Sequence, residues 1–102
     1  MVLTGKAKKG FLNYVYGLGL QELLIYDVSY NAMVIEWLDS VGIYIHVDNL
    51  TNVVMQNGEH AWQSYINRMF KNRKKCTEWC ETRQQATGAA IKEANEIYNL
   101  RK

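Results

Sequence analysis

Met33-Val34-Ile35-Glu36-Trp37-Leu38-Asp39-Ser40-Val41-Gly42-Ile43-Tyr44-Ile45-His46-Val47 is the stretch on which the reading of this chain turns. Its second half alternates. Ile43, Ile45 and Val47 fall on one side of an extended strand and Tyr44, His46 and Asp48 on the other, as in a sheet covered on one face only. The first half, Met33 to Leu38, is rich in β-branched and aromatic residues and reads as the partner strand. Asp39-Ser40-Val41-Gly42 then supplies the turn of a hairpin.

Downstream, Asn52-Val53-Val54-Met55-Gln56 and the residues from Glu59 onward suggest a second hairpin. They are joined by Asn57-Gly58, the pair that most readily adopts two positive φ angles. Ala61, Trp62, Tyr65, Ile66, Met69 and Phe70 also fit an amphipathic helix, but the preceding turn favours a strand over about Glu59 to Asn67. A short strand is expected around Lys75 to Cys80. The last element is a helix running to about Asn99: Thr82 and Gln85 have capping-box spacing, and Ala86, Ala90, Ile91, Ala94, Ile97 and Tyr98 form one apolar face. Upstream, Thr4 is placed to cap a first helix over about Gly5 to Tyr16, whose stripe is Ala7, Phe11, Leu12, Val15 and Leu18. Gly17 and Gly19 supply its stop. Gln21 to Tyr30 stays open between helix and strand, because Leu23-Leu24-Ile25-Tyr26 is too short for its period to decide. The expected fold is one α+β domain over residues 1–102, a small antiparallel sheet of three to five strands packed by an N-terminal and a C-terminal helix.

Composition agrees with a single core. The chain has 102 residues, 48% hydrophobic and 12% aromatic, without proline, repeats or low-complexity tracts, which suits one domain that folds unaided. No apolar run approaches the ~20 residues of a membrane-spanning helix, and Met1 to Gly10 lacks a secretory apolar stretch. A cytoplasmic address, with Cys76 and Cys80 as reduced thiols, is the expectation. The net charge of +2 conceals a segregation: no Lys or Arg occurs between Gly10 and Arg68, a stretch holding Glu22, Asp27, Glu36, Asp39, Asp48 and Glu59. Arg68, Lys71, Arg73, Lys74 and Lys75 crowd together just after it. Such a patch steers partners of opposite charge, or folds back on the acidic middle as ordinary surface pairing.

Catalytic chemistry finds little footing. His46 and His60 sit in no nucleophile motif and read as surface imidazoles. Glu36, Asp39 and Asp48 would approach one another across the first hairpin, but any ribbon with acidic ends offers that coincidence. Cys76 and Cys80 have the spacing of half a zinc site, and the other half is missing. Gly17-Leu18-Gly19 lacks the third glycine and preceding strand of a phosphate loop. No cofactor and no metal are expected.

Glu36 to Ile45, Thr82-Arg83-Gln84-Gln85-Ala86, Ala94-Asn95-Glu96-Ile97-Tyr98-Asn99 and the opening Leu3-Thr4-Gly5-Lys6-Ala7-Lys8 resemble a group of short proteins from phages and mobile elements of gut Bacteroidetes. The shared motifs are those of strand, turn and helix, and they bring no activity to any residue. The lineage implied by that resemblance, with the segregated charge and abundant Tyr and Trp, leads to the expectation of a non-enzymatic protein that binds a host protein, such as an inhibitor of a bacterial defence nuclease. Its expected contact surface is Arg68, Lys71, Arg73, Lys74, Lys75 and Trp79. The alternative is an RNA- or DNA-binding accessory protein that uses the same basic segment, with Phe70 or Trp79 stacking on a base.

Overall fold

A computed structural model describes residues 3–25, 27–56, 58–68, 71–77 and 79–101, and only the backbone of 27, 28 and 71–73. The elements run α1 (Gly5–Leu18), a 3₁₀ turn (Gln21–Ile25), α2 (Asp27–Ser40), β1 (Ile43–Val54), β2 (His60–Arg68), β3 (Lys71–Lys75) and α3 (Arg83–Asn99). The sheet is antiparallel in the order β1-β2-β3. This is the expected α+β arrangement with helices at both ends, enlarged by a helix that the sequence reading assigned to a strand.

That correction concerns Met33 to Leu38, which lie inside α2. Met33, Val34, Trp37 and Leu38 are buried while Ala32 and Glu36 are exposed, the i, i+1, i+4, i+5 spacing of a helix face. A β-branched residue in a helix costs about 0.5 kcal/mol in propensity, whereas burying a large apolar side chain contributes roughly 1.5–3 kcal/mol. Packing therefore overrides the β-rich composition. Asp39 to Gly42 still reverse the chain, but as a helix stop: Val41 N–H donates to Leu38 O, Gly42 N–H to Asp39 O, and Gly42 takes φ 81°. With that hairpin gone, Asp48 does not meet Glu36 and Asp39 across a ribbon. Glu36 and Asp39 stay together on α2, where partial burial, and secondarily Glu36, push the Asp39 carboxyl above its usual range.

The partner of β1 is β2, through the hairpin at Gly58. Gly58 has φ 82°, and Met55 N–H donates to Glu59 O at 2.8 Å; Asn57 itself lies outside the described residues. The strand reading of 59–67 therefore holds against the helical period. In β2, Ala61 and Ile66 are fully buried on opposite faces, while Met69 and Phe70, the last two members of that period, lie outside the described residues. The last strand comes earlier than expected, at Lys71–Lys75. Beyond it the ladder is interrupted because the Thr77 Oγ1 accepts from Ser64 N–H at 3.1 Å, a place a backbone carbonyl would otherwise fill. Contact with β2 resumes at Cys80, which exchanges both backbone hydrogen bonds with Trp62 at 2.8 Å.

The helices gather on one side of the sheet. Their core joins Leu3, Ala7, Phe11 and Val15 to Val34, Trp37 and Leu38, to Ile43 and Ile66, and to Ile91 and Ala94. Phe11 meets Tyr30 and Trp37, and Trp37 meets Tyr98, all edge to face with centroids 4.8–6.0 Å apart, the favoured aromatic geometry. α3 has the expected capping box, with Gln85 N–H on Thr82 Oγ1 at 3.1 Å and Thr82 N–H on Gln85 Oε1 at 3.3 Å. Gly19 closes α1 in the left-handed region at φ 71°. Thr4, by contrast, makes no side-chain cap. It occupies the N-cap position, but its hydroxyl accepts from Asn95 Nδ2 and Asn99 Nδ2, and the free N–H groups of Thr4 and Ala7 donate instead to Asn95 Oδ1 and Asn99 Oδ1, each at 2.8 Å. α3 thus supplies the cap of α1.

Two substitutions measure that docking. Asn95→Ala is expected to cost about 2–3 kcal/mol in denaturant unfolding, because the partly buried Thr4 N–H loses its acceptor. Gly10→Ala should destabilise by about 1–2 kcal/mol although alanine is the better helix former. Its Cβ would lie 2.9 Å from Trp37 Cζ2 and 3.1 Å from the Tyr98 hydroxyl oxygen, both in the packed ring cluster. An unchanged midpoint for either variant would remove these contacts as determinants of stability.

Candidate functional site

Alternation along the strands sorts the polar residues between two faces of the sheet. Ile43, Ile45, Ser64 and Ile66 point toward the helices. Tyr44, His46, Asp48 and Tyr65 project from the opposite side, which is exposed at Tyr44 and His46 and closes over toward Gln63 and Ala61, both buried. Tyr44 is 39% and Trp79 58% exposed, large values for aromatic residues in a folded domain. Trp79 joins this open face because it stands one residue from the Cys80 bridge to Trp62, and Trp62, paired with Asn49, belongs to the helix side.

One row crosses the open face. His46 pairs in register with Tyr65, and Tyr65 with Lys75, so an imidazole, a phenol ring and an ammonium stand side by side across about 10 Å. Each is held. His46 Nε2 lies 2.7 Å from Asp48 Oδ1, two residues along the same strand face, and the Tyr65 hydroxyl donates to Gln63 Oε1. The side chains of His46 and Asp48 remain 55% and 38% exposed, so the pair orients the ring in water rather than in a pocket. A base with an orienting carboxylate is two parts of a hydrolytic relay; among the described residues no Ser, Thr or Cys side chain is bonded to His46 as the third.

The six expected contact residues are divided by the same alternation. Lys75 and Trp79 reach the open face. Lys74, opposite Ile66, is on the helix side and is ion-paired with Glu93 of α3, so this part of the basic run pairs with α3 and not with the acidic middle of the chain. Arg68 pairs with the buried Ile43, and its Nε is buried without a hydrogen-bond partner. The backbones of Lys71 and Arg73 lie on the outer strand β3, four of whose five residues are cationic. Sequence reasoning passed over Tyr44, Tyr65 and the His46–Asp48 pair. Strand alternation did signal Tyr44 and His46; placing Tyr65 beside them required the β1–β2 register.

Cys76 and Cys80 are free thiols. Among the described residues no group of three His, Cys, Asp or Glu could hold a metal ion, and no helix is long and apolar enough to cross a membrane. Burial first, and Glu93 second, push the Cys76 thiol up to about 11 against a smaller opposing effect of Lys74. Since the thiolate is the nucleophile, Cys76 on a Cys80→Ser background should alkylate slowly at about pH 8 and accelerate as the pH rises toward 11. A labelling rate already level by about pH 9 would contradict that environment. Compared with known protein families, curated proteins and solved structures, the chain matches none.

Proposed function

We propose that this protein is a non-catalytic binding module that takes single-stranded nucleic acid across the open face of its sheet. The observation that carries the reading is the row His46–Tyr65–Lys75, flanked by exposed Tyr44 and Trp79, on a sheet whose outer strand β3 gives Lys75 to this face while Lys74 turns to Glu93. Planar rings on a rigid sheet stack on bases whatever their identity, and the cations alongside neutralise phosphates. The sheet fixes the rings before binding, so little side-chain entropy is lost when a base arrives.

A second reading uses the same surface. Tyr, Trp and basic residues are also the anchors of protein interfaces, and the net charge of only +2, with Lys74 tied to Glu93, is modest for a polyanion binder. An acidic patch on a host protein, such as the defence nuclease expected from the lineage, would meet the same residues. Phage origin and the inhibitor role belong to this reading.

Anisotropy titration with a labelled single-stranded RNA or DNA tests the first reading. Trp79→Ala and Tyr44→Ala should each weaken binding about 5- to 150-fold, the equivalent of roughly 1–3 kcal/mol per stacked base. Lys75→Glu should weaken it and flatten the salt dependence, since each lost phosphate contact removes about 0.7 from the slope for a single strand. Lys74→Glu is the poorer probe, as it would set two carboxylates against each other at Glu93 and disturb α3. No oligonucleotide binding, with a stoichiometric protein recovered from nuclease-treated host lysate and lost in the Trp79→Ala variant, would assign the face to a protein partner instead.

A further inference from the structure

The two edges of this sheet are built differently. β3, the outer strand on one side, carries Lys71, Arg73, Lys74 and Lys75, and a cationic edge discourages the addition of another strand and repels its own copy. β1, on the other side, is twelve residues long, about twice the usual strand. It contains no Lys, Arg, Pro or Gly, and Asp48 is its only carboxylate. Among the described residues it pairs with β2 alone, and no other backbone hydrogen bond reaches it from its outer side. A nearly neutral edge that runs regularly from Ile43 to Leu50 is a template for strand addition.

We infer that the edge of β1 takes a second copy of this chain, β1 against β1 antiparallel about a two-fold axis through Val47, joining the two sheets into one of six strands. The register follows from charge. Two-fold antiparallel pairing places facing residues on the same side of the sheet, at equal distances either way from the axis. An axis through Val47 sets His46 opposite Asp48 of the second copy, and Asp48 opposite its His46. Tyr44 then faces Leu50 on the open side, while Val47 meets Val47 and Ile45 meets Asn49 on the helix side. Moving the axis to Asp48 brings two carboxylates together, a destabilising pair, and moving it to His46 sets two imidazoles face to face and Asp48 against Tyr44. An axis at Ile45 or Asn49 leaves Asp48 without an imidazole across the seam. Only the Val47 register sets the carboxylate of each copy opposite the imidazole of the other, extending across the seam the His46–Asp48 pair already made within each strand. It engages residues 43–51 of both copies and stops where the β1–β2 ladder becomes irregular, between Leu50 and Val54. The open faces become continuous across the seam and both cationic strands β3 lie at the outer limits, as far apart as the assembly allows.

Sedimentation of the full chain over a concentration series, without nucleic acid, reads the association directly, and a concentration-dependent dimer is the expected result. The register is read by oxidation on a Cys76→Ser, Cys80→Ser background. Val47→Cys should form an interchain disulfide, because directly opposed antiparallel residues lie about 4.5–5.5 Å apart at Cα, within the range a disulfide spans. Ile45→Cys, which faces Asn49, should not. Asp48→Lys should abolish the dimer with an unchanged circular dichroism spectrum, and the exchanged variant His46→Asp with Asp48→His should restore it. A wild-type chain that remains monomeric throughout the series overturns the inference. So does equal cross-linking of the two cysteine variants, or a dimer indifferent to Asp48→Lys.

Discussion

At the start of α1 the N–H groups of Thr4 and Ala7 find their acceptors at the far end of the chain, on α3. Asn95 and Asn99 stand four residues apart, one turn of the helix, so both amides face the same way. Asn95 accepts the backbone N–H of Thr4, the N-cap residue, Asn99 accepts that of Ala7, and both donate to the Thr4 hydroxyl. A buried amide holds its place only when its groups are satisfied, so the network sets both the position and the rotation of α1 on α3. Gly10 then lets Trp37 and the Tyr98 ring lie against the α1 backbone, which draws α2 into the same layer. The rings of Phe11, Tyr30, Trp37 and Tyr98 close the contact edge to face.

Once three helices are tied together on one side, the sheet has one face packed against them and an opposite face that is open at Tyr44 and His46 and buried at Ala61 and Gln63. Ile43, Ile45 and Ile66 seal the packed face; the opposite face presents an imidazole, two phenols, an indole and an ammonium. The same constraint divides the basic run. Successive residues of a strand point to opposite sides, so Lys74 meets Glu93 of α3 while its neighbour Lys75 stands beside Tyr65. A cluster of charge along the sequence is therefore not one patch in space, and its binding strength belongs to the fraction that alternation delivers to the open side.

The two edges complete this division of labour. The cationic edge at β3 resists a further strand, and the neutral edge at β1 accepts one, so growth of the sheet has one direction and ends after one step. Joining at β1 would leave the open faces on the same side of the assembly and lengthen the surface available to a ligand that runs across the strands.

Signals contained within a few residues were legible in the sequence. The Thr82–Gln85 capping box, the Gly19 stop, the turn at Gly58 and the alternation of Ile43, Ile45 and Val47 each depend on backbone geometry spanning one turn or one hairpin, and residue type alone constrains that geometry. These fixed the last helix, the first helix, the β1–β2 hairpin and the one-sided sheet. The helix at Met33 to Leu38 was not legible as such, because its β-branched composition and its helical spacing point to different structures and only the burial of Met33, Val34, Trp37 and Leu38 against other elements decides between them. Asn95 and Asn99 looked like ordinary polar residues of a helix until Thr4 and Ala7 were brought to them. The row His46–Tyr65–Lys75 joins three strands, and its members become neighbours only through the pairing register, an interaction between distant segments that no local pattern encodes. Local geometry wrote the elements; the packing of one apolar face against another chose which side chains were left to meet the solvent.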